Sequence, residues 1–269
     1  MCWDIVCLYG HAVDDSNHYL GLERMDGDLY HLAARHSETG FELSMVRSIA
    51  KAVLSAVALM HSQGIVHRDI KPENIMFRTG EDGQIIFKLS DFGFAKVLDG
   101  TPNTMCLTAG YEGPEFVKQC VSGQQLVTQD ALPHDLFACG VTLYWLVCAK
   151  LPFPLSVHLK DAHRRRDVQL LQSIIDEKEA GPQFREGIWE QATFRGVRSI
   201  IKDLLHPVPK CRVPAVLLLN KTFFSGNVPD VRGAANLDDA AMRELIAAVA
   251  PDDLIASQLV NQPPGEDAA

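Results

Sequence analysis

The sequence predicts an α+β chain in which a helical bulk surrounds a small β element, and three observations carry that prediction. Val46, Ile49, Ala50, Val53, Leu54 and Val57 recur at helical spacing on one face. Residues 136–149 form the longest apolar run, which reads as a helix buried on all sides. Residues 75–77 and 85–89 are short apolar stretches joined by Thr79-Gly80-Glu81-Asp82-Gly83, which reads as two strands and a turn.

In chain order, residues 5–10 and 18–23 read as strands around the polar turn Asp14-Asp15-Ser16-Asn17. The amphipathic helix follows and is ended by Gly64. Beyond the strand pair and the buried helix, further helices are expected at about 166–178, 195–205 and 213–220. With 269 residues the chain can bury a substantial core. It shows no internal repeat and no low-complexity tract.

Composition narrows the function classes. Hydrophobic residues make up 47% of the chain, an ordinary globular share. A net charge of −9 and a pI near 5.5 argue against a nucleic-acid footprint, which needs a basic surface. Seven cysteines, at 2, 7, 106, 120, 139, 148 and 211, show neither a C-x-x-C pair nor metal-ligand spacing, so reduced thiols in an intracellular, cytoplasmic setting are expected. Residues 1–20 lack the pattern of a signal peptide, and the 136–149 run is shorter than a bilayer crossing, so no membrane span is expected.

The chemistry concentrates in His67-Arg68-Asp69-Ile70-Lys71-Pro72-Glu73-Asn74, followed by Asp91-Phe92-Gly93. Asp69 and Asn74 lie in a loop that Pro72 stiffens by fixing φ, just ahead of the strand Ile75-Met76-Phe77. The second strand returns the chain and delivers Asp91 to the same edge. Three oxygen-bearing side chains therefore converge where a Mg-nucleotide could sit. Phosphoryl transfer asks for such a set, because it depends on neutralising phosphate charge and holding a hydroxyl in line. Mg²⁺ takes hard oxygen ligands and keeps several waters, so one carboxylate and one amide oxygen suffice.

These motifs, in this order, resemble the catalytic centre of a eukaryotic protein kinase. Lys71 resembles the serine/threonine branch, and the 67–74 and Asp91-Phe92-Gly93-Phe94-Ala95-Lys96 segments are similar to the calcium/calmodulin-dependent group. The resemblance implies a protein-kinase-like fold, mainly the helical C-terminal lobe with remnant strands of the small lobe. It implies ATP and Mg²⁺ as cofactors, and a protein with serine or threonine hydroxyls as substrate. Asp69 would accept the hydroxyl proton, Lys71 would steady the phosphoryl group, and Asn74 and Asp91 would hold the metal. Glu23-Arg24-Met25-Asp26-Gly27-Asp28 resembles the hinge, so Glu23, Met25, Asp28 and Met76 fall around the nucleotide.

Gly113-Pro114-Glu115 stands where the family has Ala-Pro-Glu, closing an activation segment that starts at Asp91. Thr108 falls at the threonine that contacts the base. Thr104 falls at a position often phosphorylated, with Arg68 as its phosphate pocket, and is equally readable as an unmodified loop threonine. His67 and Phe92 are structural members of the two motifs. Asp135, in His134-Asp135-Leu136-Phe137, would cap the catalytic loop, and Arg212 would be the buried partner of Glu115.

By this resemblance residues 1–25 are a remnant of the small lobe with its fourth and fifth strands and the hinge, 26–225 the large lobe, and 226–269 an acidic, partly disordered tail. The 269 residues contain no G-x-G-x-x-G loop, no V-A-I-K lysine and no helix C glutamate. A truncated gene model, a fragment and a shortened paralogue all account for this. Weak or no transfer is expected of these residues alone, and Leu8 is expected to lose apolar cover. A kinase-like binding module is the alternative function, and a small-molecule phosphotransferase a third class that Glu115 and Arg212 oppose. His163-Arg164-Arg165-Arg166 reads as a solvated helix start or loop rather than a docking site for acidic partners. A regulatory partner stays unidentified.

Overall fold

The computed structural model describes residues 4–35, 40–99, 108–122, 131–184 and 187–225. Thr104 and the tail at 226–269 lie outside the described residues. In order, the elements are β1 (Leu8–Val13), β2 (His18–Leu22), β3 (Gly27–Asp28), α1 (Leu29–Arg35), α2 (Leu43–Ser62), β4 (Ile65–Val66), β5 (Ile75–Thr79), β6 (Ile85–Leu89), β7 (Lys96–Val97), α3 (Pro114–Ser122), α4 (Ala131–Cys148), α5 (Leu159–Arg165), α6 (Val168–Glu179), α7 (Arg195–Leu204) and α8 (Ala215–Leu218).

The long apolar run becomes the axis of the molecule. α4 packs against α2 and α7 and buries residues on every side, including Phe137, Val141, Leu143 and Leu146. The α2 stripe read from the sequence, Val46 to Val57, is buried in the same core. Each large side chain removed from water here contributes roughly 1.5–3 kcal/mol before chain entropy is counted.

The run at 136–149 understated the helix. α4 starts at Ala131, because His134 and Asp135, although polar, continue it with side chains turned inward. By length and composition α2 and α4 could each cross a bilayer, so the length argument from the sequence fails. In this fold both helices are spent on the core, with half of the α2 window and 72% of the α4 window buried.

Three small antiparallel sheets surround this core. β5 and β6 pair from Ile75 opposite Leu89 to Thr79 opposite Ile85, and β3 adds to β5 with Asp28 opposite Met76. β4 and β7 form a pair, Ile65 facing Val97. β1 and β2 form a separate hairpin.

The strand expected at 5–10 divides in two. The amide of Leu89 donates to the Asp4 carbonyl at 2.8 Å and that of Val6 to the Leu89 carbonyl at 2.9 Å, so this piece lies beside β6. The chain joins β2 only from Leu8, with a register shift between Leu8 and Gly10. Leu8 is half-buried against the core, and the exposed apolar side chains of the hairpin are Tyr9, Val13, Tyr19 and Leu22 instead.

Two other expectations shift. The helix expected at 213–220 shrinks to α8, because Pro214 is extended and serves as its N-cap. The basic cluster is no helix start: His163, Arg164 and Arg165 make the last turn of α5, where cations face the negative end of the helix, and Arg166 ends it with φ +53°.

An ion pair ties α3 to the segment before α8. Both guanidinium NH groups of Arg212 donate to the two Glu115 carboxylate oxygens at 2.6 Å. Arg212 also donates to the carbonyls of Pro133 at 2.8 Å and His206 at 2.9 Å, and lies 4.7 Å from the Phe137 ring centroid. A Cβ at residue 113 would stand 2.3 Å from Glu115 Oε2, so Gly113 leaves room for the carboxylate to fold back over the chain. Removing one partner strands a buried charge. Arg212→Leu is expected to cost about 3–5 kcal/mol in chemical denaturation, and Glu115→Gln less, because the amide still accepts one bond. A loss under 1 kcal/mol for Arg212→Leu would show that the pair does not hold the fold together.

Candidate active site

The catalytic loop runs from β4 to β5, and its shape comes from a carboxylate beneath it. Asp135, wholly buried on α4, accepts the backbone amides of His67 and Arg68, both at 2.8 Å. Its Oδ2 also lies 3.0 Å from His61 Nε2 on α2. Burial raises the pKa of such a carboxyl, but the His61 and His67 contacts outweigh it and hold Asp135 below the usual carboxylate range. Between these anchors Arg68 takes φ +68°, a conformation that costs a non-glycine residue about 1–3 kcal/mol. The two amide bonds to Asp135 keep it there.

His67 sets the next layer. Its Nδ1 accepts the Asp69 amide at 3.3 Å, so its Nε2 carries the proton and donates to the Ser90 carbonyl at 3.0 Å. Burial pushes its pKa below the ordinary value, so the ring stays neutral. The Phe92 ring packs on it, centroids 5.2 Å apart. The strand pair reaches the same place through Ser90, whose amide and hydroxyl donate to the Asn74 carbonyl at 2.9 and 3.1 Å. Asp91 is the next residue in the chain after this contact.

The Asp69 carboxylate is gripped from three sides. Thr108 Oγ1 donates to its Oδ1 at 2.5 Å. Lys71 Nζ and Asn74 Nδ2 donate to its Oδ2 at 2.7 and 2.9 Å. Lys71 Nζ also reaches Thr108 Oγ1 at 3.4 Å, and Asn74 Nδ2 the Asp69 carbonyl at 2.8 Å. The Asn74 amide nitrogen is thus spent within the loop, which leaves its carbonyl oxygen for another partner. Asp91 is exposed, takes φ +62° and accepts the Gly93 amide at 3.2 Å. Arg68 Nε donates to the Phe94 carbonyl at 2.5 Å, so the arginine ties the loop to the segment after Asp91.

The residues read as a hinge, Glu23 to Asp28, lead into β3. The Glu23 amide donates to the Cys7 carbonyl at 2.8 Å, while among the described residues no partner meets the Glu23 carbonyl or the backbone of Met25. Met76 is half-buried opposite Asp28, on the strand face away from the buried Ile75 and Phe77. Asp28 accepts the His31 amide at 2.9 Å and lies 2.7 Å from its Nδ1, so its carboxylate also caps α1.

Sequence reasoning missed the work of the Glu23 side chain. It is buried, 2.6 Å from Lys88 Nζ and 3.3 Å from Arg78, and also accepts the Cys7 amide at 3.2 Å. Burial acts against its charge, yet Lys88 and the Cys7 amide together lower its pKa. Little in the sequence signalled it, because Arg78 and Lys88 fall on the alternate strand face, where a solvent-facing cation is the ordinary reading. Lys178 and Glu112 were missed as well, and among the described residues there is no group of three or more His, Cys, Asp or Glu placed to hold a metal. A pair of one carboxylate and one amide lies outside that pattern.

Comparison with known proteins agrees with this geometry. The family model for the protein kinase domain matches residues 2–224. The chain belongs to the protein kinase domain family. It is 34% identical over 180 residues to the phosphorylase b kinase gamma catalytic chain, liver/testis isoform, of Mus musculus, covering 66% of this chain and 40% of that one. It is 32% identical to calcium/calmodulin-dependent protein kinase cmkB of Emericella nidulans, over 59% of this chain and 38% of that one. Calcium/calmodulin-dependent protein kinase type 1B of Rattus norvegicus is 31% identical over 83% of this chain and 59% of its own length. The chain therefore spans about two fifths to three fifths of these relatives.

Two groups, buried His67 and half-buried Asp4, give the fold a pH signature with opposite signs. His67 has its pKa lowered from 6.5, so below about pH 6.5 the unfolded chain binds the extra proton and stability falls with falling pH. Burial raises Asp4 from 3.8 to about 6, against the opposing pull of Lys88 and Lys51, so between those values the folded chain binds the extra proton. Asp4 thus costs stability above pH 6 and less below it. Asp4→Asn is expected to raise the thermal midpoint at pH 7.5 and to steepen its fall towards pH 5.5. A parallel shift at all pH values would contradict the raised pKa of half-buried Asp4.

Proposed function

We propose that this chain forms the catalytic large lobe of a protein serine/threonine kinase, with ATP and Mg²⁺ as cofactors and protein hydroxyls as acceptors. The observation that carries this is the Asp69 carboxylate held at once by Lys71, Asn74 and the hydroxyl of Thr108. A carboxylate merely filling a loop has no need of a threonine 39 residues away. One poised beside a substrate does, because the contact makes its orientation depend on the activation segment.

The residues fit the cofactors that protein kinases generally use. Asn74 has its carbonyl oxygen left over and Asp91 an exposed carboxylate, both hard oxygen donors suited to Mg²⁺. When bound, Mg-ATP supplies the phosphoryl group and spreads its charge over the metal. Glu23 and Met25 would offer backbone groups to the base, with Met76 beneath it and Asp28 towards the ribose. Asp69 then orients the acceptor hydroxyl and takes its proton. Lys71 stands between Asp69 and Thr108, where an ammonium would neutralise charge on the moving phosphoryl group. Arg68 would receive a phosphate on Thr104. The setting proposed is intracellular, with a regulatory partner still to be named.

Three expectations test this in the natural full-length protein. Asp69→Asn should lower peptide phosphorylation by at least about 100-fold, and Asp91→Asn should abolish Mg²⁺-dependent ATP binding in calorimetry. Transfer by Asp69→Asn at the wild-type rate would overturn the proposal, and would favour a binding module. Thr108→Ala should lower kcat roughly 10- to 100-fold with the KM for ATP little changed, since one charge-assisted hydrogen bond to the base is lost. Thr108→Ser should restore most of it, and an equal loss in both variants would remove the hydroxyl from the mechanism.

A further inference from the structure

Lys178, on α6, is completely buried beside Glu112, itself only 1% exposed, in the turn between Thr108 and α3. Its Nζ donates to the Glu112 carbonyl at 2.8 Å and lies 3.2 Å from Glu112 Oε1. The Phe153 and Phe137 ring centroids stand 4.8 and 5.2 Å from that nitrogen and shut water out. Burial pushes the Lys178 pKa down, and the Glu112 charge opposes it, with Glu177 and Glu115 adding to the same side. Burying two charges this deeply is expensive and, for stability alone, an apolar pair of similar volume serves as well or better.

The geometry around Glu112 indicates what the pair does. Its Oε2 accepts the Gly110 amide at 2.7 Å. Gly110 has φ +104°, open to glycine, and a Cβ there would stand 3.0 Å from Leu151. The Tyr111 amide closes the turn on the Thr108 carbonyl at 3.2 Å, and Thr108 Oγ1 is the donor to Asp69. A chain of direct contacts thus runs from Lys178 through Glu112 and the Gly110 turn to Thr108 and the base. The far side of the turn is fixed separately, through Glu115 and Arg212.

We propose that Lys178 is a positioning residue, which through Glu112 sets the 108–112 turn so that the Thr108 hydroxyl meets Asp69. The turn that carries Thr108 is then held by a helix that has no contact with Asp69 or Asn74. This rests on the reading of Asp69 as the base, and the test separates the two.

Kinetics and hydrogen exchange are measured on the full-length protein for Lys178→Met, Lys178→Arg and the double variant Lys178→Met/Glu112→Leu. Lys178→Met should lower kcat roughly 10- to 100-fold with the KM for ATP little changed, as expected for a slightly misplaced catalytic group. The Gly110 and Tyr111 amides should exchange faster while those of α4 do not change, and Lys178→Arg should recover part of both. The double variant leaves no buried charge, so its thermal midpoint should match or exceed that of the wild type while kcat stays low. It also carries the measurement if Lys178→Met does not fold. A double variant that recovers both midpoint and kcat would make the pair purely structural and overturn the proposal. If the wild type transfers no phosphate, the reading of Asp69 fails by itself, and unchanged exchange at Gly110 and Tyr111 would separately sink the role of Lys178.

Discussion

Everything at this site hangs on the Asp135 carboxylate. Three donors from two segments, His61, His67 and Arg68, end on its two oxygens inside the core. Its position on α4 explains why that helix is apolar on every side yet carries one acid. A buried carboxylate without partners costs several kcal/mol, while one with three donors becomes a rigid anchor. The left-handed backbone of Arg68 is tolerated because two successive amides must both point at Asp135. Once they do, Asp69 has little freedom left in its main chain.

From that anchor the order of the site spreads outward by hydrogen bonds between neighbouring segments. His67 reads the end of β6 through Ser90, Ser90 reads Asn74, and Asn74 returns to Asp69. The circuit closes within residues 67–91, so Asp69 and Asn74 are placed relative to one another by this segment's own hydrogen bonds. One member of the grip on Asp69 comes from elsewhere in the chain, Thr108. Its segment is held by two ion pairs, Arg212 to Glu115 and Lys178 to Glu112, which approach from opposite sides.

Much of this was legible in the sequence, for physical reasons that differ by element. α2 could be read because its apolar residues repeat at 3.6, and the catalytic loop because its residue types are fixed by chemistry at fixed spacing. α4 was legible as a buried helix but not in its extent, since polar His134 and Asp135 conceal an inward-facing turn. The division of the first strand could not be read, because Ile5 and Val6 suit either neighbour and the choice is made by Leu89, more than 80 residues on. Lys178 was hidden for a similar reason. On an amphipathic helix a lysine reads as solvent-facing, and only the two phenylalanines from α4 and its following loop show that it is not.

The buried charges divide by what an apolar replacement would remove. Glu23 with Lys88 and Arg78 joins the hinge to β5 and β6, and Arg212 with Glu115 joins α3 to the segment before α8, so each crosses between elements that apolar packing could also join. Glu112 differs because both its carboxylate and its carbonyl are used, one on Gly110 and the other on Lys178. Apolar contact has no direction and could keep α6 against α3, but it could not fix the path of a glycine turn. Direction is what a hydrogen bond adds to burial. A turn that must offer one hydroxyl to one carboxylate oxygen needs that direction, which is why a costly pair sits where packing alone would have been enough for stability.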